Sequence, residues 1–350
     1  MKIQLNRYNF YYSNKTINKS QIPFGISATE TAKLSFDLDR YESSMTFFPE
    51  YTKFFLENIS SVRTKGTKTI LDVGSNQGEL TRNIRKFYPQ IKTINLDLTK
   101  ELHKIAKEKD KNQKLHKNVK YMTGNAMKMP VLNNSIDAIL FSRVIHEVYS
   151  YDSEALNAEK FSIDSVERTF LEAGKKLKRH GRIIMKDPAK PEDYNKLVSI
   201  SDFSEKDKFS FKNQEELKSA DVTKLKGINL LKRFCIEFEP ADGYYIFNEN
   251  SCIMPKWLAS EYIRHRKFND TKLHWADEIN EQYGIMTNKE YKKLAETLGF
   301  KIIKAEHNFK EDNNNFYAIN NEFKIFDMSG KELIQSEEFP VDQYLVLEKK

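Results

Sequence analysis

The stretch Ile70-Leu71-Asp72-Val73-Gly74-Ser75-Asn76-Gln77-Gly78-Glu79-Leu80 constrains the fold more than any other part of the chain. A β-branched and apolar run, Thr69–Leu71, ends in an acid. Glycines follow at 74 and 78, and then an amphipathic segment, Glu79–Tyr88. That order predicts strand, tight turn, helix. Glycine has no Cβ and accepts left-handed backbone, so the turn can approach a ligand while strand and helix pack closely. In an open α/β sheet such a turn lies at the carboxyl end of the first strand, where ligands bind.

The flanking sequence repeats the strand–helix pattern. Strands are predicted at Thr69–Val73, Lys92–Leu98, Val119–Met122, Ile136–Phe141 and Arg182–Lys186. Helices are predicted at Glu79–Phe87, Thr99–Asp110 and Ser162–Leu177, the last ended by Gly181. Met45, Phe48, Tyr51, Phe55 and Ile59 recur at helical spacing before them, with Pro49 marking a helix start. The alternation predicts an α/β fold with a doubly wound, mostly parallel seven-stranded sheet. It stops after Asp187-Pro188 for about 100 residues and resumes at Thr287. There Thr287 and Glu290 have capping-box spacing, Tyr291, Leu294, Ala295 and Leu298 form an apolar face, and Gly299 stops the helix. Strands at Phe300–Ala305 and Tyr344–Leu347 follow, with a hairpin of Glu322–Asp327 and Lys331–Gln335 between them.

Four parts result: an N-terminal arm and helix (1–60), a ligand-binding half of the core (61–187), an insertion (188–286), and the C-terminal part of the core with the extra hairpin (287–350). In the arm, Tyr8, Phe10, Tyr11 and Tyr12 are read as packing onto the body. The insertion carries Phe234, Phe238, Tyr244, Tyr245, Phe247, Trp257, Tyr262 and Trp275, most of them read as its own core. Its Arg264, His265 and Arg266 are candidates for meeting an acidic group, and His274 stands beside Trp275.

Bulk properties exclude several classes. No apolar run reaches the length of a membrane span, and Met1–Phe10 has no apolar core of a signal peptide. The two cysteines, Cys235 and Cys252, have neither metal-ligand nor CxxC spacing, and no metal site is expected; a reducing, cytoplasmic setting is. The net charge of +7 fits an acidic partner such as nucleic acid. The basic residues are nevertheless spread along the chain. The one cluster, Glu101–Lys120 with seven lysines and two histidines, reads as a solvated helix face and loop.

The strand ends carry the chemistry. Strand one ends in Asp72 and the Gly74, Ser75, Asn76, Gly78 loop. Strand two ends in Asp97-Leu98, placed for the hydroxyls of an adenosine ribose. Asn125-Ala126-Met127 after strand three suits an adenine edge. Strand four ends in Ser142-Arg143, followed by His146, Glu147, Tyr149 and Tyr151.

This set resembles the class I S-adenosylmethionine-dependent methyltransferases over roughly residues 68–187, 287–309 and 341–348. Their first loop reads Asp-x-Gly-x-x-x-Gly, as Asp72–Gly78 does here, with Asn76 at the usual middle glycine. The resemblance implies S-adenosyl-L-methionine as cofactor, its methionine part near Gly74 and its neighbours, its amino group at Asp72, its ribose at Asp97 and its adenine at Asn125-Ala126. A dinucleotide fingerprint needs a third glycine that this loop lacks, and a P-loop needs a Gly-Lys-Ser/Thr that is absent. Asp72 would repel a pyrophosphate but attract an ammonium group.

For the acceptor, Phe141-Ser142-Arg143 is not the Asn/Asp-Pro-Pro-aromatic run used on exocyclic amines, and no Pro-Cys pair supports 5-methylcytosine chemistry. His146 is the candidate general base, because imidazole titrates near neutrality. Glu147 is read as its partner, and Tyr149 and Tyr151 as pocket lining. The expected activity is methyl transfer to an O or N atom of a small molecule or modified peptide, the insertion and the N-terminal arm forming the lid. The alternatives are an RNA or tRNA methyltransferase and an inactive cofactor-binding partner subunit.

Overall fold

The computed structural model describes residues 49–63, 66–151, 160–202, 210–248, 250–309 and 323–350. The elements in chain order are α1 (Pro49–Ser60), β1 (Thr69–Val73), α2 (Glu79–Phe87), β2 (Lys92–Asp97), α3 (Lys100–Asn112), β3 (Val119–Thr123), β4 (Ile136–Ser142), α4 (Ile145–Ser150), α5 (Ile163–Lys176), β5 (Leu177–Pro188), β6 (Leu197–Asp202), α6 (Gln214–Ser219), α7 (Gly227–Glu237), β7 (Ile246–Phe247), β8 (Ser251–Pro255), α8 (Lys256–His265), α9 (Lys272–Glu278), α10 (Asn288–Thr297), β9 (Phe300–Asn308), β10 (Phe323–Asp327), α11 (Gln335–Glu338) and β11 (Asp342–Lys349). The N-terminal arm, with Tyr8, Phe10, Tyr11 and Tyr12, and the helical positions Met45 and Phe48 lie outside the described residues.

A seven-stranded sheet has the order β3-β2-β1-β4-β5-β11-β9. β1 pairs in parallel with β2 and β4, β4 with β5, and β2 with β3, while β11 runs antiparallel between β5 and β9. The strand pattern explains its two cores. Alternate residues of a strand face opposite sides, so Leu71, Val73, Ile139 and Phe141 join Phe170, Tyr291 and Leu294 on one face. Ile70, Ala138 and Leu140 join Phe55, Ile59 and Ile84 on the other. Helices therefore cover both sides, as the near-continuous apolar strands require.

Strand order reverses between β1 and β4, and the crevice beyond their carboxyl ends is the natural ligand site of such a sheet. The capping box forms as its spacing predicts: Thr287 Oγ1 accepts from Glu290 N at 3.1 Å, and Glu290 Oε2 accepts from Thr287 N at 2.7 Å. β5 begins at Leu177, five residues before the expected Arg182, because no loop separates it from α5. His180 takes up a left-handed turn (φ 62°) inside that strand, and Gly181 lies where a Cβ would meet the carbonyl oxygens of Lys178 and Asp137. A bulged strand of this kind leaves no period-two signature.

A second, antiparallel sheet has the order β10-β6-β8-β7. Three of its strands come from the insertion and the fourth, β10, from the C-terminal part. The expected hairpin partner of β10 is reduced to the single Phe326–Glu332 bridge and the turn after Asp327. Phe234, Phe238, Tyr262 and Trp275 are buried under this sheet together with Phe323, Ile325 and Phe339, so most of the insertion's aromatics form a core. Among the described residues no helix is long and apolar enough to cross a membrane.

Candidate cofactor and acceptor site

The loop after β1 is held from below and from both sides. Ser75 N donates to Leu96 O (3.0 Å), Asn76 N to Asp97 Oδ2 (2.8 Å) and Gly78 N to Ser75 O (2.8 Å). Gly74, Asn76 and Gly78 all have positive φ, at 67°, 48° and 72°. Asparagine tolerates that conformation better than other side chains, which is why it can stand at the middle position. Both glycines are required by contact as well. A Cβ on Gly74 would fall 2.5 Å from Val144 Cγ2, across the crevice, and one on Gly78 would fall 2.4 Å from Asn95 Nδ2.

Asp72 is 1% exposed, and its Oδ1 has no hydrogen-bond partner among the described residues. Burial, and then the charge of Asp97, push its carboxyl up to about 8. An uncompensated buried acid is costly, and a cation beside it removes the cost. Asp97 is raised by burial, opposed by the N–H groups that it accepts. One of its oxygens serves Asn76 N and the other Thr99 N at 2.9 Å. Each oxygen keeps a lone pair for a hydroxyl donor. Leu98 beside it is 51% exposed. Asn125 turns inward on its own loop, with Oδ1 accepting from Met127 N at 2.8 Å, and Ala126 is buried in the main core. Ser142 Oγ and Tyr51 Oη lie 2.6 Å apart, while Arg143 (φ 54°) stays half-exposed, 3.7 Å from Asp342.

A second cluster, around His146, is built from α4 and a segment far away in sequence. His146 is 5% exposed. Its backbone N donates to Asp187 Oδ2 and its Nδ1 lies against Asp187 Oδ1, both at 3.0 Å, while Nε2 faces Glu281 Oε2 at 3.5 Å. Burial disfavours a charged ring, but the two carboxylates outweigh it and hold the imidazole well above its ordinary pKa. Glu147 is half-buried beside it. Burial and the Glu281 charge raise its carboxyl, against the pull of His146. The Tyr149 hydroxyl reaches Gln282 Oε1 at 3.5 Å, and Tyr151 donates to Asp277 O at 3.3 Å. The Tyr283 ring lies 4.9 Å from that of His146.

The structure thus brings the Asp72–Gly78 loop, Asp97 and Leu98 to one crevice, and His146, Glu147, Tyr149 and Tyr151 to one wall. It does not bring Arg264, His265 and Arg266 to either. The Arg264 guanidinium donates to the carbonyls of Ala189, Pro340 and Val341, at 2.9 to 3.0 Å. His265 lies between the carbonyls of Glu261, Glu278 and Glu281, and Arg266 stacks over Phe323. Asp187 and Glu281 escaped the sequence reading. Asp187 ends β5, and that rule of strand ends could have found it; nothing local marks Glu281.

Residues 71–185 match the family model described as a methyltransferase domain. No curated protein matches the chain. Among solved structures, the YcgJ protein from Bacillus subtilis is 13% identical, with 86% of this chain and 98% of that one covered and a TM-score of 0.43. Geranyl diphosphate C-methyltransferase from Streptomyces coelicolor A3(2) is 10% identical, with 90% and 81% covered and a TM-score of 0.48. The matched residues span β1 to β5 and hold Asp72, the glycine loop and Asp97. Residues 71–185 are thus similar to a methyltransferase domain, which is consistent with a class I S-adenosylmethionine-dependent methyltransferase using S-adenosyl-L-methionine as cofactor.

Proposed function

We propose that the protein methylates an O or N atom of a small-molecule or modified-peptide acceptor held between α4 and the 281–284 segment. The carrying observation is the character of that wall. Glu147, Glu281 and Asp187 surround His146, with Tyr149, Tyr151 and Tyr283 among them. A polyphosphate backbone is bound through cations, and this wall offers carboxylates instead. It suits an acceptor with a protonated nitrogen or a hydroxyl to donate.

The residues present fit the cofactor. The unpartnered Asp72 carboxyl would take its ammonium group, the Gly74–Gly78 loop its methionine backbone, Asp97 its ribose hydroxyls, and Leu98 with Asn125-Ala126-Met127 its adenine. Ser142 and Arg143 would flank its methionine end. The bound cofactor supplies an electrophilic methyl carbon on a sulfonium, whose electron pair returns to sulfur as the carbon transfers. The protein's part is to align the acceptor and remove its proton. A ring with both nitrogens facing carboxylates has no free lone pair, so in this reading His146 is a fixed charge and Glu147 takes the proton. The insertion and the strand β10 that completes its sheet act as the cap.

Methyl-labelled S-adenosylmethionine, offered with amines, phenols, carboxylic acids, short peptides and bulk tRNA, tests the reading. Label is expected in a small or peptide acceptor, and Glu147→Gln should lower turnover by about 100-fold or more. Label confined to RNA, or tight cofactor binding with no transfer to any acceptor, would refute it.

A further inference from the structure

We propose that Glu281, supplied by the insertion, is the positioning residue that orients His146 and docks the 281–284 segment onto the methyltransferase core. The proposal rests on the acceptor reading above and adds to it the contact that joins the two halves of the site. Four consecutive residues of this segment are held by two elements, α4 and α8. Glu281 Oε2 meets His146 Nε2 at 3.5 Å on α4. Gln282 N donates to the buried Ser150 Oγ at 2.9 Å, at the other end of α4. Tyr283 N and Gly284 N donate to the two oxygens of Glu261 on α8, at 2.9 and 2.6 Å. The last two contacts fix the backbone. The first joins a side chain of the segment to the His146 ring, and Gln282 Oε1, which accepts from Tyr149 Oη at 3.5 Å, joins a second pair of side chains.

The geometry of His146 gives that contact a chemical consequence. A neutral imidazole has one N–H and can donate from one nitrogen only. Here Nδ1 faces Asp187 Oδ1 and Nε2 faces Glu281 Oε2, so with both carboxyls ionised the two contacts are made together only by the imidazolium, although burial raises the Glu281 carboxyl. The groups facing the ring are Asp187 at the end of β5, Glu281 and Tyr283 on the segment, Glu147 on its own helix and Glu261 on α8. On the α8 side Arg264 and His265 stand beside Glu261 and oppose its charge. The Glu281 contact therefore holds when the ring is charged and is lost when the ring is neutral, which leaves the segment on its Gln282 and backbone contacts.

The full-length protein with carbon-13-labelled histidine tests this by NMR, with His146→Gln identifying the resonance. In the unaltered protein the His146 ring should remain charged at about pH 7.5, where an ordinary histidine is neutral. Glu281→Gln should move its titration down by about one unit or more, and Glu281→Asp should restore part of that shift. Hydrogen exchange of amides 281–284 should quicken in Glu281→Gln while β4 stays protected, and affinity for S-adenosylhomocysteine should stay within about twofold, because Asp72 and Asp97 are untouched. A His146 ring that is neutral at about pH 7.5 would overturn the proposal, as would an unchanged titration and exchange in Glu281→Gln. If Glu281→Gln fails to fold, Glu281→Asp decides alone by whether its titration differs from the parent. The two readings fail separately: label appearing only in RNA would remove the acceptor class, while the ring's titration would still report the docking contact.

Discussion

Cofactor affinity should depend on pH through Asp72. In the free protein this carboxyl is buried without a partner and titrates at about 8, so near neutrality it holds a proton. The cofactor's ammonium group needs the carboxylate, and binding must expel that proton. Linkage then makes the apparent association constant follow the ionised fraction. Between pH 6 and pH 7.5 the affinity should rise about 25-fold, and at pH 7 roughly 0.9 of a proton should be released per cofactor bound. Stability of the free protein runs the other way. The folded carboxyl titrates at about 8 against 3.8 unfolded, so the folded state binds the extra proton and Asp72 removes stability as pH rises through that interval. Calorimetry in buffers of different ionisation enthalpy measures both affinity and proton count. Asp72→Asn should abolish the slope and weaken binding at pH 7.5 by about 10- to 100-fold, the worth of a hydrogen bond to a charged group. An affinity constant within twofold over this range, or a slope retained in Asp72→Asn, would refute the assignment of the ammonium site.

Two further substitutions test the loop and its support. Gly78→Ala places a Cβ in a left-handed position and 2.4 Å from Asn95 Nδ2. It should cost about 1–3 kcal/mol, seen as a lowered melting temperature together with weaker cofactor binding. Asp110→Ala leaves the buried Arg82 and Arg85, paired with its two oxygens at 2.7 and 2.5 Å, without their carboxylate. The expected loss is about 3–5 kcal/mol, read as a lower denaturant midpoint.

The parts of this molecule legible in its sequence are those whose physics is local. Strand, turn and helix from Thr69 to Phe87 follow from a β-branched run, left-handed positions and helical spacing, all within nineteen residues. The capping box needs a hydroxyl and a carboxylate three residues apart, and both hydrogen bonds are present. Asp72 and Asp97 could be named because strand ends face the crevice whatever the distant sequence does. The setting of His146 could not. Its partners lie 41 residues away on β5 and at the end of the insertion, and neither separation follows a period. The sequence marks His146 as a candidate base by its place just beyond strand four and by the chemistry of imidazole, but carries no sign of the two carboxylates at its ring nitrogens. Likewise β10 shows an alternating pattern, but nothing in Phe323–Asp327 says whether its neighbour is the next hairpin arm or β6, more than 100 residues earlier.

The fate of the basic run Arg264-His265-Arg266 shows how the insertion is built into the core. A connection that leaves one sheet for another strands backbone carbonyls with no ladder partner, and buried carbonyls need donors. Arg264 supplies them where β5 gives way to the insertion, at Ala189, and where the chain returns to β11, at Pro340 and Val341. His265 does the same for Glu278 and Glu281, at the start of the segment that reaches His146. One turn of α8 thus fastens the exit, the return and the 281–284 segment to a single helix. A side chain already held by buried carbonyls is not available to an acidic substrate. On the proposed reading the charge facing the acceptor is left to Glu147 and Glu281, and the basic balance of the whole chain says nothing about the sign of that wall.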